Sequence, residues 1–174
     1  MTQWFLCRSL VNRFKNKMND IIYTILLSIT PIFELRGGIP YALANDINPV
    51  TAYIISCAAN MLAFPIVYIF MGFFHDLFNK MDWYANLFEK IVVRTRAKVG
   101  DNLEKWGFWG LMVFVMIPLP VTGAYTGSFA AWVFGIEKRK GFLAVSLGVL
   151  IAGLIVTAIF LSGAELFSFL LKKV

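Results

Sequence analysis

The chain has one histidine, two cysteines and charged residues at only 15% of its 174 positions. Each scarcity excludes something. Cys7 and Cys57 lie in different apolar contexts, so neither a zinc site nor a disulfide framework can be built from them. No His/Asp/Glu cluster, serine triad or paired-histidine spacing occurs, so neither an enzyme nor a resident metal or cofactor is expected. Soluble proteins carry about 25% charged and about 45–50% apolar residues. Here 59% of residues are hydrophobic and the mean hydropathy is +0.73, which points to a membrane protein.

The charges that remain are mostly positive, with 16 Lys and Arg against 10 Asp and Glu, a net charge of +6. In a soluble protein that balance suggests nucleic acid. Beside long apolar blocks it suggests anionic phospholipid headgroups instead, and no nucleic-acid partner is expected. The N-terminus lacks the order of a secretory signal, because Trp4, Phe5 and Leu6 precede Arg8, Arg13, Lys15 and Lys17. Trp4, Cys7, Val11, Phe14 and Met18 recur at helical steps, so residues 1–20 read either as an interfacial amphipathic arm or as a tail that helps set topology.

A spanning helix needs about 20 apolar residues. Pro49–Phe74 (26 residues) and Phe142–Ala164 (23 residues) satisfy that length, both without a single charge. Two other apolar regions are broken. Ile21–Phe33 is interrupted by Glu34 and Arg36 before Gly37–Asn45 continues. Trp106–Ile136 is interrupted by Pro118, Pro120, Gly123 and Gly127. Proline removes a helix donor and glycine admits reversals, so Pro31, Pro40, Pro118, Pro120, Gly123 and Gly127 are the expected break residues. The resulting pieces are too short to cross a membrane alone, as a re-entrant hairpin requires; the alternative is a kinked spanning helix.

At an offset of 89 residues, Pro31 meets Pro120, Gly38 meets Gly127, Ala42 meets Ala131 and Ile47 meets Ile136. The order of parts also repeats: broken segment, short polar turn, unbroken span. The fold expected is therefore an all-α integral membrane protein made of two inverted repeats, each a broken re-entrant hairpin followed by a full span. The competing architecture is an irregular four-helix bundle. Within a single membrane domain, repeat one covers 21–74, an amphipathic connector 75–105 and repeat two 106–171. Positive residues flank both ends of the spans, so charge bias gives no clean orientation.

Charges at membrane depth line cavities, pair or relay protons. Glu34 and Arg36, set between Pro31 and Pro40 and next to Gly37 and Gly38, are the first candidates for substrate or proton handling. Arg36 offers paired donors to a phosphate or carboxylate. The structural alternative is a Glu34–Arg36 pair that pins the hairpin. Thr122, Tyr125, Thr126 and Ser128 supply neutral hydroxyls at the second break, for freed backbone groups or a polar cavity. Asn60, with Ser56, Ala59 and Ala63 nearby, is a lone polar residue that can face a hairpin. Gly148, Ala152 and Gly153 mark a small-residue face on the last span, and His75 reads as interfacial.

The run Pro31-Ile-Phe-Glu34-Leu-Arg36-Gly-Gly-Ile-Pro40 resembles the E-x-R-x-x-I-P signature of the prokaryotic small multidrug export protein family. The resemblance runs through about Ile21–Leu161, and Pro118-Leu-Pro120-Val-Thr-Gly123 resembles that family's second half. The layout is also similar to the DedA superfamily, which implies two opposed re-entrant hairpins and movement of phospholipids or polyprenyl-phosphate carriers, sometimes with proton coupling. Glu34 would match that group's first-hairpin acid and Arg36 a nearby basic residue, whereas the second hairpin lacks embedded arginines. The expected function is a transporter or scramblase for an amphipathic lipid or lipid-linked phosphate in a prokaryotic cell membrane, with membrane lipids, protons and a second copy of the chain as candidate partners. A non-transporting scaffold is the alternative, and export of small hydrophobic cations, which the family label suggests, is a third.

Overall fold

The computed structural model describes residues 17–78, 81, 107–118 and 122–172, and among these all regular structure is α-helical. The helices are α1 (residues 17–29), α2 (Glu34–Ala44), α3 (Pro49–Met61), α4 (Ala63–Phe78), α5 (Gly107–Met116), α6 (Ala124–Phe134) and α7 (Lys138–Lys172). Residues 17–20, expected in the N-terminal arm, already belong to α1. The remainder of the arm and the connector beyond Met81 lie outside the described residues.

Among the described residues, two stretches are long and apolar enough to cross a membrane, Pro49–His75 and Lys138–Gly163. The first is α3 and α4 run together through a turn at Leu62. Its cause is local: Pro65 has no N–H to give to the Met61 carbonyl, so the ladder loses a rung there. The other helices of the hairpins are short. At 1.5 Å per residue, α1, α2, α5 and α6 measure roughly 15–20 Å, well under the ~30 Å of hydrocarbon.

The chain divides into two compact units. Unit one comprises residues up to Asn60 and from Gly153 onward; unit two is Met61–Ala152. Each long helix therefore changes unit partway, the first at the turn before Pro65.

In unit one, α1 and α2 form an antiparallel hairpin. At its open end the Tyr41 hydroxyl bonds Asp20, and the Tyr23 and Tyr41 rings meet edge to face at 6.3 Å. Ile21 packs against the buried cluster of Ala42, Ile47 and Ala52. At the closed end Pro31, Ile32 and Phe33 form an exposed apolar tip, Ile32 at 84%. Such a tip suits hydrocarbon rather than water. Gly153 lets α7 approach α3 closely, since a side chain there would lie 2.6 Å from Cys57 Sγ and 2.9 Å from Tyr53.

Unit two also holds a pair of short helices. Helices α5 and α6 are antiparallel, and a side chain at Gly127 would strike Val115. Gly148 brings α7 against α5, because a Cβ there would fall 2.9 Å from the Met112 carbonyl. The predicted small face of the last span is thus used in both units. Phe64 stacks on Tyr68 at 4.3 Å and meets Phe142 at 5.6 Å, and the Tyr68 hydroxyl donates to the Ile136 carbonyl at 3.3 Å.

Two expected breaks are corrected. Pro40 lies inside α2, not at an interruption. The loss of one amide donor is offset by the buried contacts of Leu35, Ile39 and Ala42 on the same helix. Gly127 lies inside α6, where it serves close packing. The actual breaks among the described residues are the turn at 30–33, which holds Pro31, and the non-helical Ile117 and Pro118 after α5 with Thr122 and Gly123 before α6. Pro120 lies outside the described residues.

Candidate functional site

Helix α2 buries one stripe: Glu34, Leu35, Gly38, Ile39 and Ala42. Glu34 opens that stripe as the first residue after the hairpin turn. Its amide donates to the Thr30 carbonyl at 3.0 Å, and its φ of 50° places it in the left-handed region. A residue with a Cβ is crowded against the following carbonyl there, and the conformation costs roughly 1–2 kcal/mol. The side chain is only 7% exposed. Backbone strain of this kind persists only where the surrounding structure holds the residue in place. Arg36, two residues on, lies on the half-buried flank of α2 and feels the Glu34 charge.

The packing of α2 on α3 fixes what Glu34 faces. Ala42 and Ala52 share one buried cluster. One turn away, a Cβ on Gly38 would fall 3.1 Å from Ser56 Oγ and would collide with Ser28 Oγ of α1. The helices are antiparallel, so a further turn along both brings Glu34 level with Asn60. Asn60 is fully buried, and neither its Nδ2 nor its Oδ1 has a hydrogen-bond partner. Ser28 Oγ and Ser56 Oγ are likewise buried and unpartnered. Of the sequence-predicted set, unit one places Gly38 against Ser28 and Ser56, with Glu34 and Asn60 one turn further along α2 and α3, and with Arg36 and Gly37 on the adjoining flank of α2.

Ser28 and Ser56 were missed as site residues. Ser28 is hidden in an apolar run, and Ser56 reads only as a small neighbour of Asn60. The spacing of Ser56 and Asn60, four residues apart on one helix, was the available signal.

The second-break hydroxyls do different work, and they lie in unit two. Thr122 Oγ1 donates to the Ile117 carbonyl and Thr126 Oγ1 to the Gly123 carbonyl, so both close the backbone of the break. Buried Ser128 donates to the Ala124 carbonyl one turn back. Tyr125 is half-buried on the first turn of α6. A separate apolar pocket of about 450 Å³ lies in unit two, lined by residues that include Gly107, Leu111, Phe114, Ala130 and Phe134. None of Thr122, Tyr125 and Thr126 lines it. His75 meets the Trp132 ring edge to face at 5.6 Å. Among the described residues, no group of three or more His, Cys, Asp or Glu side chains can hold a metal.

A protein-family model described as "Putative small multi-drug export protein" matches residues 34–155, more than half of the chain. No curated protein and no solved structure matches.

Proposed function

Because the chain belongs to the small multidrug export protein family, we propose that it is a membrane transporter whose working site is the first hairpin, centred on Glu34. The single observation behind this is the placement of Glu34: a buried carboxylate on left-handed backbone, level with an amide side chain that has no partner. A carboxylate in a low-dielectric interior stays charged only when a cation or donors compensate it, and otherwise takes up a proton. That choice is what a coupled transporter needs at its centre.

The cargo we infer is amphipathic: a lipid or lipid-linked phosphate. Arg36 on the flank of α2 offers a planar fork of donors to a phosphate. With Glu34 charged, the pair is neutral and suits a zwitterionic headgroup; with Glu34 protonated, it is cationic and suits an anionic one. The apolar pocket beside α5 and α6 is of a size that takes a hydrocarbon segment. The matching half-length hairpins support an inverted repeat with two re-entrant hairpins, the architecture in which such sites are found.

One observation favours a second reading. The family's description names multidrug export, and a buried carboxylate that releases a proton can accept a hydrophobic cation in exchange. Proteoliposomes containing the purified chain separate the two. Flux is measured for lipid analogues differing only in headgroup charge and for a lipophilic cation, with and without a pH gradient. Flux of phosphate-bearing analogues that depends on Glu34 and Arg36 supports the lipid reading; flux of the cation alone supports the second.

A further inference from the structure

A buried serine in a helix ordinarily donates to the carbonyl four residues back, as Ser128 does to Ala124. Ser28 and Ser56 are equally buried, yet neither does so, and their oxygens are left without partners beside the bare Cα of Gly38. Small size alone does not explain them. Alanine would permit the same close approach without burying an unpaired hydroxyl, which costs about 1–3 kcal/mol.

The second unit supplies the comparison. In it a Cβ on Gly127 would fall 3.7 Å from Val145 Cγ2, and one on Gly141 would fall 3.4 Å from Ala131 Cβ. These are the counterparts, at the offset of 89 residues, of Gly38–Ser56 and Ala42–Ala52. At that offset Ser28, Glu34, Ser56 and Asn60 correspond to Ile117, Gly123, Val145 and Val149. All four of these polar positions in the first unit are apolar or bare in the second. These are four coordinated departures on three helices, and the unpartnered buried side chains number three in the first unit (Ser28, Ser56 and Asn60) against Ser146 alone in the second, among the described residues.

We propose that Ser28 Oγ, Ser56 Oγ, Asn60 Oδ1 and the Glu34 carboxylate form a site for one dehydrated monovalent cation per chain, sodium being the ion it takes. This rests on the transporter reading above and names its coupling ion. Hard cations take oxygen ligands. One carboxylate and three neutral oxygens match a single positive charge, whereas calcium takes 6–8 oxygens, commonly from several carboxylates, and magnesium keeps several of its waters. A proton needs the carboxylate alone and gives no role to three further oxygens. With its Oδ1 on the ion, Asn60 has its Nδ2 available to donate to Glu34, so the amide that is unpartnered in this structure is used in full. Arg36 lies off the buried stripe of α2, where it feels the Glu34 charge but contributes no oxygen ligand.

Sodium binding to purified protein, without any transported substrate, tests this. Thermal unfolding in detergent is followed as NaCl replaces choline chloride at constant ionic strength. A ligand that binds only the folded state raises the midpoint in a saturable way. Wild-type protein is expected to show that rise. Asn60→Val, which copies the second hairpin, and the double variant Ser28→Ala/Ser56→Ala are expected to fold and to bind sodium about tenfold more weakly or not at all, as loss of a hydrogen bond or ligand to a charged group implies. Gly72→Ala, which has nothing within 4 Å, is the control and keeps the full response. The absence of a saturable rise in wild-type protein, or an equal rise in the double variant, overturns the proposal. Wild-type titration decides the matter even if a variant fails to fold. A negative result here leaves substrate flux untouched, and a sodium response without flux leaves the site standing while the transport reading falls.

Discussion

The Ile47 amide donates to the Ala42 carbonyl at 3.0 Å, closing the turn between the first hairpin and its span. Eighty-nine residues later the Ile136 amide donates to the Ala131 carbonyl at 2.9 Å and closes the corresponding turn. Both alanines are fully buried, and in each case a long helix starts two residues after the isoleucine. The two turns are the same device, built from the same residues.

The glycines of the two hairpins should respond to substitution by their surroundings. Gly38→Ala drives a methyl into Ser28 Oγ, and Gly127→Ala drives one into Val115. Each should lose about 1–3 kcal/mol of stability, the usual cost of overpacking. Gly72→Ala should be neutral or gain up to about 1 kcal/mol, because alanine is the better helix former. Denaturation of the three variants in detergent reads the difference. In the double variant Gly38→Ala/Ser28→Ala the clash with the hydroxyl is removed, so much of the loss should return.

Replacement of Glu34 should separate stability from function. Glu34→Gly relieves the left-handed backbone and removes a buried ionisable group, so stability should rise by roughly 1–2 kcal/mol. Transport should fall in the same protein. A variant that is less stable than wild type would show that Glu34 holds the hairpin together.

Topology follows from the short helices. With Cys7 and Cys57 replaced, single cysteines at Lys17, Asn48, Lys105 and Lys138 are labelled with a membrane-impermeant maleimide. The account expects Lys17 and Asn48 to label from one side, and Lys105 and Lys138 together from the other. Labelling of Lys17 and Asn48 from opposite sides would make the first hairpin a span and end the inverted-repeat reading.

Much of the fold was legible in the residues. The uncharged run Pro49–Phe74 became the stretch Pro49–His75, and Phe142–Ala164 lies within α7. Breaks near Pro31 and Pro118 followed from donor loss. The role of Pro40 did not, because a proline inside a helix is tolerated when burial on either side holds the turn, and that burial is tertiary. The serines were harder still. Hydropathy averages over Ser28 inside Ile21–Phe33, and a sequence does not reveal whether a hydroxyl bonds its own backbone. For Thr122 and Thr126 the residues left two roles open, freed backbone groups or a polar cavity, and their hydroxyls take the first by closing local carbonyls.

Arg36 tests the sign of the cargo. Arg36→Lys keeps the charge and loses the planar fork, while Arg36→Gln loses both. Flux of a phosphate-bearing analogue should fall in the order wild type, Lys, Gln, with the glutamine variant reduced about tenfold or more for the loss of a charged hydrogen bond. Equal losses for anionic, zwitterionic and cationic analogues, with lowered stability, would assign Arg36 to the scaffold.

The most direct test of the central claim is flux through proteoliposomes carrying Glu34→Gln beside wild type, at matched protein incorporation. Glutamine keeps the shape and removes both the charge and the titration. The account predicts that the variant inserts and folds as wild type does, while flux of the amphipathic phosphate analogue falls about tenfold or more, the order expected for one interaction of a charged group. Flux in the variant equal to wild type, with a pH gradient and without one, would contradict it.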